Sequence, residues 1–445
     1  MEHHTLLEVF GIPINHTILF WLSVAIFIGT YAMIVAEKFF HRVPAALFGG
    51  FLAVFIGLLS PKLAWESIDH NTIFLLLGMM VIVSVLIESG FFSILSLKAL
   101  QITKGEPLKI LVVFTLLTGV LSAFLDNVTT VLFMIPILIG LTARLKLNPI
   151  PYVIATVLAS NIGGTATLIG DPPNIIIGSL GHFTFMDFIV NIAPIIILTH
   201  IVGTIAFIFY MKVRGDLKPK MTDEAEIEEL IKEQKAEYDI QLMRKGLIIF
   251  GITILLFFMH HILHLEAGTI ALFMASILLL WTREDPERIF ERVEWTTLMF
   301  FVGLFIVIGG MEHTGVFEEV AHITSGLLKE PMSSILILGG LSAIISGIVD
   351  NIPFTMAMAN VLIDFAKTVN WNTEPLWWAL ALGACLGGNL TIIGASANVV
   401  AAGLAEREGY PIKFVDFLKM GTPVTIVTVV FALALLWLKY YIFGV

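Results

Sequence analysis

Two stretches of the chain decide its fold, Ser122-Ala-Phe-Leu-Asp-Asn-Val-Thr-Thr130 and Val349-Asp-Asn-Ile-Pro-Phe-Thr355. Each stretch places an Asp-Asn pair, Asp126-Asn127 or Asp350-Asn351, in the middle of a long apolar segment. The two pairs lie 224 positions apart. A polar pair repeated inside apolar sequence indicates that the chain is a duplicated unit with one special point in each half.

The same offset aligns a second set of residues. It brings Gly163-Gly164 onto Gly387-Gly388, Thr167 onto Thr391, Gly170 onto Gly394 and Asn174 onto Asn398. Upstream the register shifts by one residue, and downstream an insertion of five residues precedes the next matches. Several motifs that recur in order indicate a duplication of the whole unit rather than a chance similarity.

The composition indicates a membrane protein. Of the 445 residues 58% are hydrophobic and only 13% are charged, about half the charge of a soluble domain. Continuous apolar runs lie at 17–36, 43–59, 72–88, 188–211, 247–262, 268–282, 295–311 and 419–443. Two further runs, 152–177 and 376–403, are interrupted by Gly, Pro and Asn, which predicts broken helices.

These runs predict an all-α polytopic membrane protein of two inverted repeats. Each repeat has five transmembrane helices, one of them broken, and one re-entrant hairpin, at 108–142 or 331–366. The repeats are 1–212 (scaffold helices 17–88, transport elements 108–212) and 246–445 (scaffold helices 247–312, transport elements 331–443), and a charged linker, 213–245, reads as an exposed helix. The hairpins are interpreted as re-entrant because non-helical backbone at membrane depth requires a cavity.

Basic residues predict the orientation. All but four of the 25 Lys and Arg (Lys62, Lys329, Lys367 and Lys439) fall on one side of this topology. By the positive-inside rule that side is cytoplasmic. The linker is therefore expected in the cytoplasm and both termini outside it, with the chain in the cell (inner) membrane.

Several function classes have no support in the sequence. The chain lacks the GxSxG, HExxH and Walker motifs, so we expect no enzyme and no catalytic residues. It also lacks a basic patch interleaved with aromatic residues, which argues against nucleic-acid binding. The single cysteine, Cys385, excludes a disulfide framework and a thiolate cluster. No cofactor is expected beyond Na⁺ and H⁺ as coupling ions.

Three acidic residues, Asp126, Asp171 and Asp350, fall inside the predicted spans, whereas no Lys or Arg does. A carboxylate at the bilayer centre costs about 2.5–3.5 kcal/mol. Without a basic partner such an acid must be protonated, stabilised by helix dipoles or bound to a mobile cation. The sequence therefore predicts a site that handles H⁺ or a metal cation, with Asp126 and Asp350 as candidate Na⁺ ligands.

The broken spans add further candidates and an asymmetry. Interrupted helices at matching positions are the best sequence indication of a midplane binding site. In the second half Asp171 is replaced by Ala395 and Pro172 by Ser396, so we expect two unequal half-sites. From the acids, the hairpin tips and the broken spans, the candidate ion-binding residues are Asp126, Thr130, Gly170, Asp171, Asn174, Asp350, Asn389, Gly394, Ser396 and Asn398.

Other polar residues have plainer interpretations. Glu88, His313 and Glu312 are expected at the membrane interface, and Asp364 in solvent. His260, His261 and His264 sit at the end of a span, where a wet interface is the simpler explanation than a metal cluster. Cys385 is expected to be a small buried residue.

At these motifs the chain resembles the ion-transporter superfamily. The resemblance is to the branch of arsenite efflux pumps, NhaD-type sodium–proton antiporters and the melanosomal P protein, and it covers nearly the whole chain outside the linker. It is carried by 122–130 and 170–174 in the first half and by 349–355 and 394–398 in the second. The resemblance implies a homodimer and elevator-type alternating access. It also implies a substrate and ion site lined by Asp126, Asn127, Thr129, Asn174, Asp350, Asn351, Thr355 and Asn398.

Two functions stay open at this point. The hairpin carboxylates favour a secondary transporter that exchanges a cation, Na⁺ first, for protons. The alternative is H⁺- or Na⁺-coupled transport of arsenite, another oxyanion or an organic anion held at half-helix N-termini. A channel or a non-transporting scaffold is the third class. The expected partners are a small inorganic ion, the lipid bilayer and a second copy of the chain.

Overall fold

The computed structural model describes residues 16–35, 41–215, 217 and 238–444. All regular structure in these residues is helical. The helices of the first half are α1 (His16–Val35), α2 (Arg42–Phe55), α3 (Pro61–Glu66), α4 (His70–Glu88), α5 (Phe91–Thr103), α6 (Pro107–Ser122), α7 (Asn127–Arg144), α8 (Pro149–Gly164), α9 (Pro172–Leu180), α10 (Phe185–Asn191) and α11 (Ala193–Arg214).

The second half repeats this order. Its helices are α12 (Ile240–Leu263), α13 (Ala267–Thr282), α14 (Pro286–Glu291), α15 (Trp295–His313), α16 (Val316–Ser325), α17 (Pro331–Ser346), α18 (Asn351–Thr368), α19 (Glu374–Gly387), α20 (Ser396–Arg407) and α21 (Phe414–Phe443). A short 3₁₀ turn, Gly388–Leu390, lies between α19 and α20. The chain therefore has the all-helical fold of a polytopic membrane transporter, as the sequence predicts.

Length and hydropathy identify the spans. Among the described residues seven helices are long and apolar enough to cross a bilayer by themselves, and the pair α9–α10, bent by 112°, makes an eighth if it is counted as one span. Helix α2, with 14 residues, is shorter than the predicted run 43–59, and α13 has 16 residues. At 1.5 Å per residue they reach only about 21 and 24 Å. Helix α2 ends early because the chain turns at Gly57, whose φ is +86°.

The duplication is visible in how helices α2, α4, α13 and α15 cross. Helix α2 packs on α15, and α4 packs on α13, so each pair joins the two halves. A Cβ added to Gly78 would lie 2.4 Å from the Ala271 carbonyl carbon, and one added to Gly303 would lie 2.5 Å from that of Ala46. These two contacts are equivalent under the repeat, and both depend on glycine for close helix approach.

The helices pack in two groups. Helices α1, α2, α4, α12, α13 and α15 contact mainly one another. The hairpins α6–α7 and α17–α18 pack instead with α8, α9, α11 and α19 to α21. Contacts between the groups are fewer and include α4 with α9 and α15 with α18. The boundary between the groups passes the hairpin tips, where the predicted site lies.

Two sequence predictions need correction here. Lys439 lies within the long helix α21 and donates to the Asn191 side chain, so the prediction that all Lys and Arg fall outside the spans was wrong. Helices α5 and α16, which precede the hairpins, were not predicted. Most of the linker lies outside the described residues, and its end, from Ile240, belongs to α12.

Candidate functional site

A small cavity lies where the two hairpin tips meet the broken helices and the scaffold. We call it the central cavity. Its volume is about 10 Å³, which is close to that of one water-sized sphere. Its polar lining consists of Arg42, Asp126, Asn127, Asp171, Thr297, Asn351 and Ser396. Five of these seven residues are among the predicted site residues, and they come from both halves of the chain.

The first hairpin places its acid at the start of a helix. Asp126 is the N-cap of α7, and its Oδ1 accepts a hydrogen bond of 2.9 Å from the Thr129 backbone N–H. The positive end of the helix dipole also favours a negative charge at this position. Thr130 is used locally, since its hydroxyl donates to the Asp126 carbonyl oxygen. Asp126 therefore faces the cavity with its charge stabilised by backbone rather than by a basic side chain.

Asn127 joins the first hairpin to the first broken helix. Its amide donates to Asn161 Oδ1 at 3.1 Å and to Asp171 Oδ1 at 3.2 Å. Asp171 is fully buried, and no hydrogen bond of ordinary geometry reaches its Oδ2 within the described part of the chain, although the side chains of Cys385 and Asn351 are close enough to interact with this carboxyl group. Neither Asp126 nor Asp171 forms a salt bridge among the described residues. Unfilled carboxylate oxygens of this kind are suited to a cation or a proton.

The second hairpin differs because a basic residue reaches it. Asp350 caps α18, and its Oδ1 accepts from the Ile352 N–H while its Oδ2 accepts from the Ser396 hydroxyl at 3.1 Å. Arg42, the first residue of α2, lies 3.8 Å from Asp350 Oδ2 and donates to Ser396 Oγ. The prediction that the intramembrane acids have no basic partner was therefore wrong for Asp350.

Arg42 escaped the sequence prediction because it lies at the end of a cytoplasmic loop in the predicted topology. Its long side chain reaches inward from the helix start, and its guanidinium also lies over the ring of Phe300, 5.7 Å from the ring centre. Thr297 was missed as well, since one Thr in an apolar run gives no signal. A basic residue at the first position of a short helix was the only available clue to Arg42.

Two predicted ligands, Asn174 and Asn398, brace the helix breaks. The amide of Asn174 donates to the carbonyl oxygens of Thr165 and Thr167 at 3.0 and 2.8 Å. Asn398 donates to those of Gly388 and Thr391, both at 2.8 Å. Because these bonds fill the carbonyl groups freed by the breaks, both amides hold the loops in shape behind the central cavity.

A buried amide network connects the two halves behind the cavity. Asn161 donates to Asn389 Oδ1 and to Asn398 Oδ1, each at 2.8 Å. At the position matching Asn161 stands Cys385, which is buried, as expected, with its Sγ 3.6 Å from Asn174 Oδ1. Thr355 is buried deeper in α18, and its hydroxyl has no hydrogen-bond partner in the part of the chain described. Asn389 and Thr355 therefore lie outside the cavity lining.

Two glycines allow the broken segments to fold closely. A Cβ added to Gly170 would lie 2.5 Å from the carbonyl oxygens of Gly164 and Ser122. A Cβ added to Gly394 would lie 2.6 Å from the Gly388 carbonyl oxygen. Gly170 and Gly394 thus act as close-approach points, which fix the position of the next residue, Asp171 in one half and Ala395 in the other.

The weaker candidates lie away from the cavity. Glu88 forms a salt bridge with Arg292. Asp364 forms a salt bridge of 2.6 Å with the exposed Lys367. Glu312 and His313 are exposed at the end of α15. Exposed His264 borders a different cavity, and the side chains of His260 and His261 lie outside the described residues. Among the described residues no group of three or more His, Cys, Asp or Glu is arranged to hold a metal ion.

The comparisons with known proteins decide the family. The family model described as citrate transporter (CitMHS) matches residues 31–383. The chain belongs to this family. An uncharacterized transporter of Mycobacterium tuberculosis is 37% identical over 433 residues, covering 95% of this chain and 99% of that protein. The human P protein is 33% identical over 509 residues, covering 95% of this chain and 60% of the P protein.

Two solved structures share the fold with this citrate transporter family member. The YdaH transporter of Alcanivorax borkumensis has a TM-score of 0.55 and 13% identity, covering 92% of this chain and 89% of that one. MtrF of Neisseria gonorrhoeae, which belongs to a class of antimetabolite efflux pumps, has the same TM-score and identity, with 89% and 85% covered. The predicted resemblance to the ion-transporter superfamily and to the P protein is confirmed, and the chain is a multi-pass membrane transporter rather than an enzyme.

Proposed function

We propose that this chain is a secondary transporter that exchanges a monovalent cation, Na⁺ first, for protons. One observation carries the proposal. Asp126 and Asp171 both line the central cavity, and neither has a basic partner among the described residues. A carboxylate held in a dry site binds either a proton or a cation, and competition between the two produces exchange.

The chemistry of the lining supports a hard cation. Carboxylate, amide and hydroxyl oxygens surround the cavity, and hard cations prefer oxygen ligands. The two acids of the lining, Asp126 and Asp171, outnumber the single Arg42, so the cavity as a whole is suited to a positive charge. The cavity volume of about 10 Å³ suits a small, largely dehydrated ion.

Cavities on either side of the site support alternating access. One, of about 560 Å³, lies beside His70, His182 and His264. Leu75 and Ile175 border this cavity and also line a much smaller one that reaches Asp126. We propose an elevator motion in which the two hairpins and broken helices move against α2, α4, α13 and α15, because helices within each group pack mainly on one another.

The remaining parts of the proposal concern placement in the membrane. We propose that the hairpins are re-entrant, that residues 213–245 lie in the cytoplasm and that both termini lie outside it. Two copies are expected to form a homodimer, an expectation that comes from the resemblance to the superfamily. Cysteine accessibility labelling at Lys62→Cys and Arg283→Cys in a Cys385→Ser background tests the orientation, since the two thiols should react from opposite faces.

A test of cation exchange uses everted membrane vesicles. Na⁺, Li⁺ or K⁺ added to respiring vesicles should reverse the quenching of a pH-sensitive dye, and the half-saturating concentration should fall as pH rises. Asp126→Asn should abolish the response at Na⁺ concentrations that half-saturate the wild type. Asp364→Asn, which removes a carboxylate elsewhere on the second hairpin, is the matched control. No response to any of these cations between about pH 6 and 9 would refute exchange.

A second function, H⁺- or Na⁺-coupled transport of an oxyanion such as arsenite or of an organic anion, is favoured by Arg42. Its guanidinium reaches the central cavity and could hold a carboxylate, and the family model is described as a citrate transporter. The test is uptake of labelled citrate, with and without Mg²⁺, and arsenite tolerance of an expressing strain that lacks its own efflux pump. Uptake lost in Arg42→Gln would favour this function over cation exchange.

A further inference from the structure

A second cavity approaches Asp126 from the opposite side to the one beside His70. It has a volume of about 250 Å³ and lies between α4, α7 and the start of α15. Arg292 and Glu294 border it, and we call it the Glu294 cavity. Thr129 also lines it, and the backbone N–H of Thr129 donates to Asp126. The Glu294 cavity is therefore bordered by a residue, Thr129, that contacts the proposed ion ligand Asp126 directly.

Glu294 carries an unused carboxylate oxygen in this cavity. Its Oε2 accepts a hydrogen bond of 3.1 Å from the Thr297 hydroxyl. Its Oε1 is buried, and no hydrogen-bond partner for it exists in the described ranges of the chain. Thr297 lines the central cavity, so Glu294 borders one cavity and contacts a residue of the other. A buried carboxyl oxygen without a donor is costly unless a cation or a proton visits the group.

The duplication supplies an internal comparison. One register of the repeat, 225 positions, aligns Glu294 with Asp69 and Thr297 with Thr72. Asp69 borders the cavity beside His70, and both of its oxygens are filled, by the Thr72 N–H at 3.1 Å and the Thr72 hydroxyl at 2.7 Å. Each half thus puts an acid at the start of a scaffold helix beside a cavity, but only Glu294 keeps an oxygen available.

The charges around Glu294 are consistent with a visiting cation. Asp126 and Arg42 are both close enough to act on its charge. Arg292 lines the same cavity but is already paired with Glu88, so it does not satisfy Glu294. Negative charge at the start of α15 is also favoured by the helix dipole, which explains why an acid is tolerated there but not why one oxygen stays unfilled.

We propose that Glu294 is a staging ligand, which binds the transported cation in the Glu294 cavity and passes it to Asp126. The proposal rests on the proposed cation exchange. It goes further by adding a residue outside the hairpins and by assigning the Glu294 cavity as the route on the side of Arg292. Under the predicted orientation this side is cytoplasmic.

Transport kinetics in everted vesicles test the staging role. In everted vesicles, where the cytoplasmic face is outside, Glu294→Gln should raise the half-saturating Na⁺ concentration about tenfold and leave the maximal rate nearly unchanged. Glu294→Asp should restore most of the affinity. Asp69→Asn, which preserves an N-cap at the equivalent position, is the matched control and should leave this value unchanged. An unaltered Na⁺ affinity in Glu294→Gln would refute the staging role while leaving cation exchange intact.

A binding measurement separates failure of this proposal from failure of cation exchange. Purified wild-type protein is treated with a hydrophobic carbodiimide, which modifies protonated carboxyl groups in apolar surroundings, and the peptide containing Glu294 is examined by mass spectrometry. Labelling at Glu294 that Na⁺ prevents supports staging even if a variant fails to fold. Labelling that Na⁺, Li⁺ and K⁺ leave unchanged, or no labelling at Glu294, contradicts staging. A lack of exchange by the wild type in vesicles contradicts the proposed function itself.

Discussion

The two half-sites began as copies, and they now differ in how their acids are neutralised. In the first half Asp126 and Asp171 are held by N–H donors and by Asn127. In the second half Ala395 replaces the equivalent of Asp171, and Asp350 has Arg42 as a partner. Amide N–H donors are uncharged, so the first half-site keeps the negative charge of any ionised carboxylate. The guanidinium of Arg42 offsets the negative charge of Asp350. The first half-site is therefore the better candidate for holding a mobile cation, and the second for contacting the scaffold.

Through Arg42, this difference between the half-sites bears on the proposed elevator motion. Arg42 belongs to α2, which packs on α15, while Asp350 and Ser396 belong to the hairpin and broken helix of the other group. The contact thus joins the two groups that the elevator proposal requires to move apart. A cation or proton arriving at Asp350 would compete with Arg42 and release this contact.

The largest expected effect is the loss of the first half-site acids. Asp126→Asn and Asp171→Asn should each raise the half-saturating Na⁺ concentration about 100-fold or more, which corresponds to about 2.7 kcal/mol of lost binding. Dye dequenching in everted vesicles measures the effect, with Asp364→Asn as control. If Asp350→Asn were as damaging to affinity as Asp126→Asn, the two half-sites would be equal and the comparison would fail.

A smaller effect of opposite sign is expected at Arg42. Arg42→Gln removes the competitor for Asp350, so the half-saturating Na⁺ concentration should fall about threefold, a change of less than 1 kcal/mol. Arg42→Lys should behave more like the wild type. A lower Na⁺ affinity in Arg42→Gln would show that Arg42 supports cation binding and does not compete with it.

Packing provides a third contrast between the halves. A Cβ on Gly119 would lie 2.3 Å from the His200 ring, whereas the equivalent position already holds Ala343. Gly119→Ala should therefore lower the stability by about 1–3 kcal/mol through overpacking. Thermal unfolding of the purified protein measures this effect. Gly140→Ala in α7, where an added Cβ meets nothing within 4 Å, is the control and should be neutral or slightly stabilising.

The hairpins and the broken helices could be predicted closely from the sequence. The predicted hairpins 108–142 and 331–366 correspond to Pro107–Arg144 and Pro331–Thr368 in the structure. These elements are marked by Pro at the helix starts and by Asp-Asn at the tips, which are local signals. The duplication doubled each signal, so a chance match was easy to reject.

What the sequence could not supply were contacts between distant segments. Arg42 and Ser396 are 354 positions apart, and nothing local in either region announces that they meet. Asn174 and Asn398 were predicted as ligands because Asn beside a helix break suggests binding, but filling the freed carbonyl groups uses the same chemistry. Glu294 was missed because an acid next to a span normally lies in solvent.

The most direct test of the account is Na⁺-dependent thermal stabilisation of the purified protein. A ligand present at 100 times its dissociation constant stabilises the fold by about 2.7 kcal/mol. The account predicts that Na⁺, with choline as the ionic-strength control, raises the unfolding temperature of the wild type and of Asp364→Asn. The increase should disappear in Asp126→Asn and Asp171→Asn. An equal increase in all four proteins would contradict the claim that these two carboxylates bind the transported cation.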